Sequence, residues 1–179
     1  MISILSALAK PYIVNIFRDR RVSRAAMQLV DMTRLARTRA LGRGTPVLLA
    51  WDAAGGNKVG SSGLLRMLEP VTTQTPTTTS CAGTNWSDPT AVTEVARFDV
   101  GNGLYELATV GFVDDTGVAR TRADLCFAAR GRSYLRTIGG FAALMGVVQF
   151  DVMNDTSKGG TGLRRTVFVP SSGVARVAQ

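Results

Sequence analysis

The sequence contains no histidine. This removes the commonest general base and the commonest neutral metal ligand. A histidine-based catalytic triad is excluded, and a zinc site would have to use cysteines and carboxylates alone. Cysteine is also scarce, with Cys81 and Cys126 the two present. Proline is low at 6 and glycine high at 19, a balance that suits turn-rich β structure better than an all-helical chain. Long apolar runs are lacking, since a membrane-spanning helix needs about 20 apolar residues. The nearest candidate is Ile2–Phe17, 16 residues interrupted by Ser3, Ser6, Lys10 and Asn15. It has no basic flank before it and no small-residue cleavage pattern after it, so it does not read as a complete signal peptide.

Motifs that carry chemistry are equally sparse. Gly131-Arg132-Ser133 is not a nucleophile elbow, because Leu135 stands where the second glycine belongs. Gly159-Gly160-Thr161-Gly162 lacks the Lys-Ser/Thr of a phosphate loop and reads as a hairpin. Asp114-Asp115, followed by Thr116-Gly117, reads as a turn tip rather than a catalytic pair. The expectation is a non-enzymatic chain with no cofactor and no metal. A soluble β enzyme, the competing reading, would need a polar pocket with convergent titratable groups, and none is expected.

What is present is a core-forming composition and a lopsided charge. Hydrophobic residues make up 45% of 179 residues, enough for one domain with a real core. The net charge is +8. Between Lys10 and Arg43 nine basic residues face only Asp19 and Asp31, so this stretch alone carries +7. Such a surface is either a solvated helix face or one turned to lipid headgroups, nucleic acid or acidic partner subunits.

The same stretch has helical periodicity. Apolar residues at Val22, Ala25/Ala26, Leu29, Met32, Ala36 and Ala40 fall on one face. Arg20, Arg24, Asp31 and Arg34 fall opposite, and Gly42 and Gly44 supply the stop. Pro11 removes one helical hydrogen bond and should kink the helix. The spacing predicts one helix from about residue 2 to about residue 41, roughly 60 Å long. A compact domain of this size has no use for such a rod, so its first half must pack on something else. Its second half should lie across a sheet.

After Gly44 the pattern becomes β. Strand candidates are TPVLLAWD, SGLLRMLEP, EVARFDV, YELATVGFV, ADLCFAA, SYLRTI, VVQFDVMN and RRTVFVP. Turn formers such as Gly101-Asn102-Gly103 separate most of them, and Thr72–Thr79 reads as loop. Antiparallel sheets follow, either one or two packed together.

Residues 4–49 closely resemble the N-terminal region of type IV pilins, and more narrowly the GspH/FimT group of minor pilins and type II secretion pseudopilins. The carriers are Pro11, the run Arg21 to Leu29, Leu35-Ala36-Arg37 to Ala40, and Gly44 to Leu48. LCFAARGRS and RRTVFVPSSGVARV are similar, more loosely, to the group's later strands, the second to its closing pair. The resemblance implies an α+β, type IV pilin-like fold, with a long N-terminal α-helix packed on an antiparallel β-sheet or β-sandwich domain. It divides the chain into a helix, 1–43, and a globular domain, 44–179. The helix has an apolar membrane and filament-core half, 1–17, and an amphipathic half, 18–43. Ile4, Leu5, Leu8, Pro11, Ile13 and Phe17 would then face the inner membrane first and other filament subunits later, with the domain in the periplasm. The resemblance further implies that the chain starts about ten residues inside the apolar helix, after the leader and the glutamate of the family.

Cys81 and Cys126 are either two buried thiols or a disulfide, and an extracytoplasmic domain favours the disulfide. Closing that loop would contribute at most about 4 kcal/mol. CAGTNW, with Cys81 and Trp86, resembles FimT/FimU-like members, which points to a minor pilin; a GspH-like pseudopilin is the alternative. A third reading is a DNA-binding subunit. Candidate contacts are Arg130, Arg132 and Arg136, with Tyr134 interleaved for stacking, and Arg165 and Arg176. Where FimT-like members have G-R-x-R, this chain has Gly173-Val174-Ala175-Arg176, so one of two phosphate contacts is missing.

Overall fold

The computed structural model describes residues 2–55, 63–71, 80–100, 108–154 and 163–178; before Arg20, Phe17 and Asp19 are the described side chains. A single helix, α1 (Ile2–Arg43), runs unbroken through Pro11. It stops where Gly44 takes a left-handed conformation, φ 67°, and donates its N–H to the carbonyl of Ala40 at 3.1 Å. That conformation is cheap for glycine and costly for other residues.

Two antiparallel sheets follow. The first contains β1 (Val47–Asp52), β2 (Gly63–Pro70), β3 (Val92–Val100), β6 (Arg122–Phe127), β7 (Ser133–Arg136) and β8 (Ala142–Ala143). Its order is β3-β2-β1-β6-β7-β8. The second contains β4 (Ala108–Val113), β5 (Ala119–Arg120), β9 (Val147–Asn154), β10 (Arg164–Pro170) and β11 (Arg176–Ala178), in the order β11-β10-β9-β4-β5. The architecture is thus α+β: a long N-terminal helix on antiparallel sheets, as the resemblance implied.

The expected apolar stripe of α1 is the buried one, from Val22 to Ala40. Val30 and Thr33 widen it, and Thr33 satisfies its hydroxyl by donating to the carbonyl of Leu29 at 2.7 Å. The helix does not lie across one sheet, as its periodicity suggested. It packs on β1, β3 and β6 of the first sheet and on β4, β9, β10 and β11 of the second. One core results, fed by α1 and by both sheets. Away from the helix the sheets are joined by an aromatic chain. Trp51 meets Phe150 edge-on at 6.2 Å between ring centres, and Phe112 meets Phe150 at 5.1 Å. Gly63 lies beneath the Trp51 ring so closely that a Cβ there would come within 2.1 Å of it.

The strands show why their sequences differ. In β1 both Val47, Leu49 and Trp51 on one face and Leu48 on the other are buried. The first set enters the main core; Leu48 enters a second core with Leu68, Cys81, Trp86, Cys126 and Ala128 on the sheet's outer face. Covered on both faces, the strand reads as a near-continuous apolar run. β4 instead alternates buried and half-buried residues, as a strand does when one face is open.

Cys81 and Cys126 form a disulfide that closes 45 residues and pins the segment carrying Trp86 over this second core. The Trp86 indole N–H donates to the Cys81 carbonyl at 2.8 Å. At the end of α1, buried Glu69 on β2 accepts hydrogen bonds from Arg39, through Nε and through Nη2 at 3.0 Å, and from Arg43 at 2.6 Å.

Several sequence-based boundaries shift. β3 begins at Val92 rather than Glu94, the SYLRTI strand ends at Arg136, and Ala128 starts a turn instead of extending β6. The two-residue strands β5 and β8 were not anticipated. Tyr105–Leu107, Gly101-Asn102-Gly103, Thr72–Thr79 and Gly159–Gly162 lie outside the described residues. The Asp114-Asp115 turn is present. Asp114 caps it by accepting from Thr116 N–H (3.0 Å), Thr116 Oγ1 (2.6 Å), Val118 N–H (2.9 Å) and Arg120 Nε (2.7 Å).

Two stability predictions follow from these contacts. Burial pushes the Asp114 carboxyl up, but the hydrogen bonds from Thr116, Arg120 and Val118 outweigh it and hold the group at about 2. A carboxyl depressed on folding contributes stability above its unfolded value, lost as pH falls from about 4 through about 2. Asp114→Asn should therefore cost roughly 1–2 kcal/mol at pH 7 and much less at pH 2. Urea titrations at both pH values measure the difference, and an equal cost at both would refute the assignment. Reduction, or Cys81→Ser with Cys126→Ser, should lower stability by up to about 4 kcal/mol. Calorimetry with and without reductant reads this, and alkylation of the unreduced protein should add no label by intact mass.

Candidate functional site

Candidate surfaces among the described residues are the outward face of the helix, arginines on the domain and a cleft on the six-stranded sheet. The outward face of α1 carries Phe17, Arg20, Arg24, Met27, Asp31, Arg34, Leu35 and Leu41, all exposed. Phe17 is 57% exposed, large for an aromatic ring. The face therefore alternates guanidinium groups with bare apolar side chains. Arg34 also donates to the carbonyl of Ala175, at 3.4 Å, tying the helix to the chain just before β11. Ile4, Leu5, Leu8, Pro11 and Ile13 are on the described backbone of α1, and their side chains are outside the described residues. Among the described residues no helix is long and apolar enough to cross a membrane.

The arginines singled out in the sequence stand on a turn, on β7 of the first sheet, and on β10 and β11 of the second. Arg130 and Arg132 are exposed on the tight turn between β6 and β7, whose Gly131 neighbours Leu41 at the end of α1. Arg136 is on β7, where it pairs with Asp124 at 2.7 Å and sits over the Phe141 ring at 4.5 Å. Arg165 and Arg176 belong to the other sheet, on β10 and β11. Nearby basic groups are likewise matched: Arg120 pairs with Asp114, and Arg164 with Asp151 at 2.6 Å. The tip between β7 and β9 has the opposite character. Residues 137–147 contain no charge, and Ile138 and Met145 are 82% and 86% exposed.

Contrary to expectation, the domain does have a cleft with titratable walls. It encloses about 860 Å³ on the outer face of the six-stranded sheet. Asp52, Arg66, Glu94, Arg122, Asp124 and Arg136 line it beside Leu48, Leu68 and Trp86. Its carboxylates are paired: Asp52 with Arg122 at 3.1 Å, Asp124 with Arg136, and Glu94 with Arg97 at 2.7 Å. Sequence reasoning missed it because its lining comes from several separated segments, none a motif. Among the described residues no group of three or more Cys, Asp or Glu side chains could hold a metal ion.

No family model matches the chain, and no curated protein does. Among solved structures it is similar to the type IV minor pilin FimU of Pseudomonas aeruginosa strain PAO1 in two crystal forms. One shares 15% identity, covering 88% of this chain and 92% of the other, with a TM-score of 0.48. The second shares 14% identity, covering 89% and 90%, also with a TM-score of 0.48.

The arginine placement separates structural from surface roles. Arg136→Ala should cost about 1 kcal/mol, through loss of its ion pair and its contact with the Phe141 ring. Arg130→Ala with Arg132→Ala should change stability by less than about 0.5 kcal/mol. Urea denaturation of the two variants checks the ranking, and a reversed order would contradict it.

Proposed function

We propose that this chain is a minor subunit of a type IV pilus, non-enzymatic, that joins the filament through the first half of α1. The observation that carries the reading is a mismatch of lengths. A helix of 42 residues is about 63 Å long. A compact chain of 179 residues is only about 40 Å across. The buried stripe, Val22 to Ala40, accounts for about 27 Å of the rod. The preceding segment, Ile2–Phe17, is apolar by sequence and ends in an exposed phenylalanine. The pilin resemblance over residues 4–49 falls on this helix and on the strand that follows it.

On this reading the apolar half holds the subunit in the bacterial inner membrane, with the domain in the periplasm. During assembly it leaves lipid for the bundle of neighbouring subunits' helices. The outward stripe with Arg20, Arg24, Met27 and Leu35 would face the adjoining subunit. The domain supplies no reaction chemistry, and its disulfide fits an oxidising compartment.

The test places a cysteine at Phe17 in cells of the source organism and shears the surface filaments. Recovery of the chain in the sheared fraction, with Phe17→Cys cross-linked to another pilin, is the expected result. Retention in the cell envelope with loss of protein secretion on deletion would assign the chain to a secretion pseudopilus instead. Absence from both systems, with no adduct, would overturn the filament reading.

A further inference from the structure

The cleft on the six-stranded sheet contains an arginine whose side chain has no partner among the described residues. Strand register sets outward-facing residues in a row across the sheet: Arg97, Arg66, Ala50, Asp124 and Arg136. The small Ala50 keeps the middle of the row low. Leu48 and Leu68 form an apolar ledge on one side, and Trp86 and Pro89 of the disulfide-pinned segment stand beside it. Three arginines and three carboxylates line the cleft, and Arg97 stands beside it with Asp99 near. Arg97 is matched to Glu94, Arg122 to Asp52 and Arg136 to Asp124. The Arg66 side chain, half-buried in the lining, has no ion pair or hydrogen bond among the described residues.

We infer that this cleft binds an acidic peptide segment of a partner protein, with a carboxylate on Arg66 and an adjacent apolar side chain on the Leu48–Leu68 ledge. A guanidinium is a planar fork of donors that takes a carboxylate through two parallel hydrogen bonds. A concave site with apolar walls and few placed polar groups is the usual form of a specific binding site. The mixture also argues against a nucleic acid. Phosphate backbones are held by several unneutralised cations, and here two of the three lining arginines already carry their own counter-charge. The cleft opens on the sheet face opposite α1, so the inference does not rest on the filament reading, and its failure would leave that reading intact.

The test is fluorescence polarisation at low salt with a labelled decapeptide of alternating leucine and aspartate, against the same peptide with asparagine. The intact chain should bind the aspartate peptide at least tenfold more tightly. Arg66→Gln should abolish that discrimination. Arg66→Lys, which keeps the charge but not the fork, should retain part of it and serves if the glutamine variant does not fold. Arg165→Gln, on β10 of the other sheet, should change affinity less than threefold. Equal affinity for the two peptides, or discrimination that survives in a folded Arg66→Gln, overturns the inference. So does binding of a single-stranded DNA 12-mer or polygalacturonate when neither peptide binds.

Discussion

Small side chains on the buried stripe of α1 set how near the two sheets can come to it. Ala25, Ala26, Ala36 and Ala40 are all inaccessible on this stripe. The separation of packed elements follows the size of the side chains at the contact, and interiors tolerate few voids. With alanine at these positions, one helix can be covered by strands of both sheets at once. The larger residues of the stripe, Leu29, Val30 and Met32, then fill the space that the alanines leave. Replacing an alanine by a larger residue would force the sheets apart as well as crowd the helix. The aromatic contact of Trp51, Phe150 and Phe112 would be strained with them, since it bridges the same sheets.

Alanine packing leaves sliding along the helix axis poorly determined. Glu69 removes that freedom. It is 2% exposed and takes both Arg39 and Arg43 from the last turns of α1. A buried carboxylate deprived of its partners is strongly unfavourable, so the helix must present both arginines at one point on β2. In the proposed filament, where α1 is the shared element, this contact sets the height and angle at which the domain hangs from the rod. The disulfide does similar work on the far side of the sheet. It holds the Trp86 segment down and so creates the wall of the cleft.

The helix was legible because its period persists over many turns and because Gly44 ends it. The longer strands were legible from apolar runs and turn residues, and VVQFDVMN and RRTVFVP match β9 and β10 residue for residue. The two-residue strands β5 and β8 were not, because two residues carry no period. The cover given by two sheets was hidden for another reason. The stripe seemed narrow while Val30 and Thr33 were left out of it, and Thr33 fits there only because its hydroxyl bonds back to Leu29. Arginines close in sequence proved a poor guide to a surface. Arg130 and Arg132 stand on the turn before β7, Arg136 is on the strand and paired with Asp124, and Arg165 and Arg176 are on the other sheet. The cleft reverses the problem, since Arg66, Asp124 and Arg136 become neighbours only through the pairing of β2, β1, β6 and β7.

The distribution of charge bears on where the chain would sit in the proposed filament. Of the +8 total, +7 lies between Lys10 and Arg43, so the positive charge belongs to the rod and the domain is nearly neutral. Helices in contact have axes about 8–10 Å apart. That is no more than the Debye length of about 10 Å at 0.1 M salt, so screening does not remove repulsion between them. A stack of identical rods would bring Arg20, Arg24 and Arg34 of one copy against those of the next, with Asp19 and Asp31 too few to offset them. Such a helix is ill suited to build a shaft from copies of itself. In the proposed filament it suits a position beside different subunits that present carboxylates, as the minor-subunit proposal requires.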